Sequence, residues 1–170
     1  MEEGIDIEID KLTNSVENAI TGDRFETVVS LVRRSDLPSI TKKRGWVFNW
    51  AQEFREPICE LYKLTIVGNP TVIQGLVSIE NASDHIHLRL IESAPFNKSK
   101  NKSYIGVPGN LVAYVCRLSF QRGHEGNVAF LSKSLLIKHY EENLGARHVG
   151  GRTMILDTPA ALKLIEKYFK

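Results

Sequence analysis

Residues Ser103-Tyr-Ile-Gly-Val-Pro-Gly-Asn-Leu-Val112 place two glycines, Gly106 and Gly109, where a turn opens into an apolar run. A helix that starts there exposes backbone N–H groups without intrahelical partners, together with the positive end of its dipole. Glycines let a ligand come close to that main chain, so the stretch can cradle a pyrophosphate. The same two glycines also suit an ordinary helix start. Two other groups of residues have types that could do chemistry. His85 and His87 stand two apart on an extended run and could act as a base or hold a metal. Lacking a third ligand nearby, they read more simply as strand histidines, and no metal site is expected. Trp46, Phe48 and Trp50 crowd three aromatics into five residues, which reads as a core anchor before it reads as a ligand-stacking surface.

The bulk numbers narrow the classes. The chain has 170 residues, 42% hydrophobic and 25% charged, with a net charge of +2. That suits one domain with a full core and gives no sign of nucleic-acid binding. The basic runs Lys42-Lys43-Arg44 and Lys98, Lys100, Lys102 read as solvated loops. No apolar run approaches the ~20 residues of a membrane span. Cys59 and Cys116 are the only cysteines and form no Cys-x-x-Cys pair, so a disulfide framework or a zinc site is not expected. With no signal peptide in view, a cytoplasmic protein with reduced thiols is the expectation.

The elements that must position these residues follow from periodicity. Residues 1–60 read as helix and loop, with segments of open type at Asp10–Ile20 and Phe25–Val32 and a break at Asp36-Leu37-Pro38. From residue 60 the pattern sharpens. Glu60–Val67 and Val72–Ile79 read as a hairpin about Gly68-Asn69-Pro70. His85–Ala94 reads as a third strand with Ile86, Leu88 and Leu90 on one face. A helix runs from Pro108 to Gln121, a short strand covers Asn127–Leu131, and a helix from Ser134 to Asn143 ends at Gly145. Arg147–Leu156 reads as one final strand, and Thr158-Pro159 opens the last helix. An antiparallel meander that leads through a crossover helix to a parallel strand gives an α/β (α+β) domain with a mixed, mainly antiparallel central sheet and helices on both faces.

At this point the chain resembles the GCN5-related N-acetyltransferase (GNAT) family, most clearly from Leu61 to Phe169. The resemblance rests on three features: the order strand, glycine turn, helix, strand, helix, strand; Gly106-Val107-Pro108-Gly109 at the place of the family's pyrophosphate loop; and His139-Tyr-Glu-Glu-Asn-Leu-Gly-Ala146, similar to the family's Leu-Tyr-Glu-Lys-Leu-Gly-Phe segment. It departs from the family at Ser103, where Arg or Gln is usual, at Pro108, in place of a second small residue, and at Lys133, where Asn is frequent.

The resemblance implies a single GNAT-like domain over residues 1–170, with an acetyl-CoA-binding half over 61–170 and an acceptor side over 1–60. It implies transfer of an acetyl group from acetyl-CoA to an amine of unknown acceptor. The pyrophosphate would lie over the N–H groups of Gly106, Val107, Gly109 and Asn110, aided by Lys102, while main chain near Ile91 and Ser93 would hold the pantetheine and thioester; Lys133 is a further cofactor-binding candidate. Tyr140 matches the general acid that protonates the leaving thiolate, and Glu92, at a strand end, is the candidate base. Tyr140 also suits a packed helix tyrosine, and Glu92 a salt-bridge partner. A homodimer is compatible with the resemblance. So is a catalytically degenerate GNAT-fold module, motivated by Ser103 and Pro108, and an interaction domain built on the tryptophans.

Overall fold

In the computed structural model, which describes residues 4–10, 15–98 and 101–169, a seven-stranded sheet carries the chain. Its strands are β3 (Thr27–Leu31), β4 (Cys59–Ile66), β5 (Gly75–Asn81), β6 (Ile86–Ser93), β8 (Val128–Leu131), β9 (Arg147–Gly150) and β10 (Thr153–Leu156). They lie in the order β3-β4-β5-β6-β8-β10-β9. Every neighbouring pair is antiparallel except β6 and β8, which run parallel. The helix α2 (Val107–Gln121) makes that crossover, as a parallel connection requires.

The sheet buries both faces. Tyr62, Leu64 and Ile66 of β4 join Val77 and Ile79 of β5 under α2 and α4 (Thr158–Phe169). Leu61 and Leu76, which alternate with them, join Trp46 and Trp50 on the other face, where α1 (Trp50–Arg55) packs. Both tryptophans are buried, Trp50 completely, so they are core anchors and offer no aromatic docking surface. The support that an interaction domain drew from them falls away.

Three expectations need correction. The first sixty residues hold β3 and two short strands, β1 (Val16–Asn18) and β2 (Arg24–Phe25), in addition to the six-residue α1. β1 also pairs with β7 (Tyr104–Ile105), which leads into Gly106, so this section pins the approach to the glycine turn. Residues 11–14 of the open Asp10–Ile20 segment, and Lys100 of the basic run, lie outside the described residues. Arg147–Leu156 is a hairpin rather than one strand: Gly150 and Gly151 take positive φ values of 133° and 53°, which reverse the chain between β9 and β10.

The third correction concerns β6. The β5–β6 register slips between Ser78 and Ile79, which pair with Leu90 and Leu88 and leave Arg89 as an extra residue. A bulge switches the faces of all residues beyond it. Ile86 and Leu88 therefore share the α2 face with Ile91, whereas Leu90 packs with the tryptophan cluster. Ile91, Glu92 and Ser93, all beyond the bulge, are buried.

Candidate active site

β6 and β8 pair only at Ile86↔Val128 and His87↔Ala129. Beyond His87 no pairing joins them, and the wedge opens towards the start of α2. Its apolar walls are Leu88 and Ile91 of β6, Val112 of α2, Phe130 of β8, and Tyr140 and Leu144 of α3 (Ile137–Leu144). At the mouth, Gly106 adopts φ 94°, a left-handed conformation that favours glycine, and caps α2. Pro108 occupies the first turn, as expected.

The four proposed amide donors divide. Gly106 N–H points out of the helix and donates to the Asp10 carboxylate at 3.1 Å. Val107 and Gly109 lie in the first turn, ahead of the first intrahelical bond. Asn110 makes that bond, from its N–H to Gly106 O at 3.1 Å, and its side-chain amide donates to the same oxygen at 2.8 Å. Gly109 has a packing reason to be glycine: a Cβ there would stand 1.8 Å from Oη of Tyr168 on α4. The loop before the turn is set by Asn97, which donates to Gln74 Oε1 at 2.9 Å and accepts from Tyr104 N at 2.9 Å.

The lysines of the loop are not simply solvated. Lys102 pairs with Asp10 at 3.0 Å, and Lys98 pairs with the buried Glu92. Glu92 is only 4% exposed. Besides Lys98, its carboxylate accepts from Val47 N at 2.7 Å, Phe48 N at 3.2 Å and Trp50 Nε1 at 2.8 Å. It ties the 47–50 loop to the sheet end. With Ile91, Ser93, Lys98, Lys102 and Pro108 it also lines a cleft of ≈ 360 Å³.

Tyr140 is fully buried, and its hydroxyl donates to Ile7 O at 2.6 Å. Burial, reinforced by the charges of Asp6 and Glu8, pushes its phenol far above the ordinary tyrosine value, so it stays protonated. It can give a proton but does not take one. Lys133 caps a short turn after β8, and its N–H donates to Ile5 O at 3.0 Å.

A larger cleft, ≈ 490 Å³, lies beside the wedge between α1 and β6. His87, Arg89, Glu53, Glu56 and Lys133 line it. Desolvation opposes ionisation of Glu53, but hydrogen bonds from Arg89 (3.0 Å) and Ser78 (2.7 Å) outweigh it and hold the carboxyl below its usual range. Burial lowers the imidazole of His87, which favours the neutral form. His85 instead pairs with Asp84 at 2.7 Å.

Missing from the sequence-derived site is the segment Gly4–Asp10. It runs through the wedge, with Ile5, Ile7 and Ile9 against the apolar walls. Its signal was available: Ile5-Asp-Ile-Glu-Ile-Asp10 alternates apolar and acidic residues with the period of a strand.

In sequence the chain matches no protein-family model and none of the curated proteins. Solved structures do resemble it. One is the ribosomal-protein-S18-alanine N-acetyltransferase from Escherichia coli, at 17% identity and TM-score 0.52, over 76% of this chain and 90% of that one. Another is FeeM, an N-acyl amino acid synthase from uncultured soil microbes, at 11% identity and TM-score 0.57, over 89% and 97%. A third is AtaTR bound with AcCoA, at 14% identity and TM-score 0.55, over 81% and 97%. The chain has the GNAT fold, as the sequence resemblance implied. Among the described residues, no helix is long and apolar enough to cross a membrane.

Proposed function

We propose that the protein, acting as one GNAT-like unit, transfers an acetyl group from acetyl-CoA to an amine. The observation that carries this is the wedge between β6 and β8, apolar along its walls and closed at its mouth by the N-terminus of a fifteen-residue helix. A slot of that kind fits a slender chain ending in phosphates, and acetyl-CoA supplies an activated acyl group on such a chain. One structure of the same fold holds AcCoA, which supports the choice.

The roles follow from position. Gly106, Val107 and Gly109 face the phosphates with their amides, with Lys102 beside them, while Ile91 and Ser93 flank the path inward. Tyr140, kept protonated, is the proton donor to the leaving thiolate. Lys133 and His87 face the larger cleft, which takes the acceptor. Glu92 lines the smaller cleft; to act as base it must give up one of its four donors, most readily Lys98, the solvent-side partner. The test is release of free CoA thiol from acetyl-CoA with a panel of amines, comparing wild type with Tyr140→Phe. Acceptor-dependent thiol that drops at least ~100-fold in the variant supports the proposal; no release with any amine counts against it.

A second reading, a GNAT-fold module without turnover, is favoured by one observation: Gly4–Asp10 lies in the wedge. Binding of CoA without turnover across the panel would select it.

A further inference from the structure

The segment Gly4–Asp10 engages the wedge at every level a slender phosphate-bearing ligand would use. At its inner end Ile5 pairs with the tip of β8, its N–H donating to Leu131 O at 2.6 Å and its carbonyl accepting from Lys133 N at 3.0 Å. In the middle, Ile7 O accepts from Tyr140 Oη at 2.6 Å, and Ile9 N donates to His139 Nε2 at 2.9 Å. At the mouth, the Asp10 carboxylate accepts from Gly106 N at 3.1 Å and from Lys102 Nζ at 3.0 Å. The three isoleucines fill the apolar walls so closely that ≈ 10 Å³ of space remains among them. From β8 towards α2 the segment thus presents main-chain hydrogen bonds alongside an apolar stripe, and it ends in an anion at α2.

We infer that Gly4–Asp10 is a built-in competitor for the cofactor slot, a strap that closes the β6–β8 wedge in the resting protein and must leave before CoA enters. This rests on the proposed use of the wedge by acetyl-CoA. The physical basis is exclusion. Gly106 N–H and Tyr140 Oη are held by the strap, and its isoleucines occupy the walls, so strap and ligand cannot share the slot. Apparent affinity for CoA is then reduced by the fraction of molecules with the strap released. The strap also carries Asp6 and Glu8, whose charges help to raise the Tyr140 phenol. Its departure removes them and brings the phenol closer to the range of a thiol, so opening the slot also improves the proton donor.

The test is calorimetric titration of CoA into the full chain, wild type against Ile7→Asp and Asp10→Asn. Ile7→Asp sets a carboxylate against the apolar walls, and Asp10→Asn removes the anion at Gly106. Both variants should bind CoA at least ~10-fold more tightly than wild type. Wild type alone gives an independent readout by hydrogen exchange. The Ile5 and Ile9 amides, protected in the free protein, should lose protection when CoA saturates it. Equal affinities for all three proteins, or Ile5 and Ile9 still protected with CoA bound, overturn the strap while leaving the cofactor site standing. No binding by any of the three at millimolar CoA overturns both.

Discussion

The Asp10 carboxylate lies 3.1 Å from the Gly106 amide, so the first described segment of the chain and the start of its longest helix meet at one hydrogen bond. An anion at a helix N-terminus is favourable because the first N–H groups and the helix dipole both point at it. The turn that the sequence offers for a pyrophosphate therefore holds a carboxylate from the same chain.

Tyr140→Phe removes a buried hydroxyl that donates to Ile7 O. Stability should fall by about 1 kcal/mol, the usual net worth of such a bond, as read by urea denaturation. Exchange at Ile9 should quicken in the same variant, because the strap loses its central tether.

Replacing Glu92 by Ala strands four donors, including the buried Trp50 Nε1 and two backbone amides. Groups of this kind each cost about 1–3 kcal/mol when left unsatisfied, so the variant should lose at least ~2 kcal/mol. Tryptophan emission should shift to longer wavelength as the 47–50 loop loosens. An unshifted spectrum with full stability would show that the loop does not depend on Glu92.

At Gly109, an alanine Cβ would run into the Tyr168 ring and hydroxyl. Gly109→Ala should destabilise by about 1–3 kcal/mol despite alanine's better helix propensity. Pairing it with Tyr168→Ala should recover part of the loss. A substitution at Gly109 therefore reports on helix packing before it reports on phosphate binding.

Acid sensitivity should centre on α1 and β4. Desolvation opposes ionisation of Glu53 but is outweighed by hydrogen bonds from Arg89 and Ser78, which lower its carboxyl, while Arg122, 2.8 Å away, lowers that of Glu60 against desolvation. Acids depressed in the folded state contribute stability above their unfolded pKa, and lose it as pH falls through the lower folded value. Melting temperature should decline below the ordinary carboxylate range. The decline should be shallower in Glu53→Gln, which starts from a lower melting temperature at neutral pH.

The two thiols should react very differently. Cys116 is fully buried on α2, and burial pushes its thiol up to about 12; Cys59 is partly exposed at the start of β4. A thiol reagent should label Cys59 first in the native protein and reach Cys116 only on unfolding.

The meander β4–β5–β6, the glycine turn, α2 and β8 were legible in the sequence because each carries a clear period or a decisive breaker, such as Pro108 after Gly106. What stayed hidden has local physical causes. The bulge at Arg89 reverses which face Leu90 and Ile91 occupy, and no residue type in Leu88-Arg-Leu-Ile-Glu92 announces it. β1 and β2, of three and two residues, are too short to show a period, and β3 at the sheet edge leaves Val28 and Leu31 exposed, which blurs its pattern. Gly150-Gly151 did mark a reversal inside an apparent strand. For the site, the residues around the turn were legible, but the strap was not. Its alternation was plain, yet only the tertiary fold shows that it lies between β6 and β8.

The most direct test of the cofactor slot is a hydrogen-exchange footprint of acetyl-CoA on the protein. Protection should rise at Val107 and Gly109, whose amides precede the first intrahelical bond, and along Ile91–Ser93. A footprint elsewhere, such as on α1 alone, or none at saturating acetyl-CoA, would contradict it.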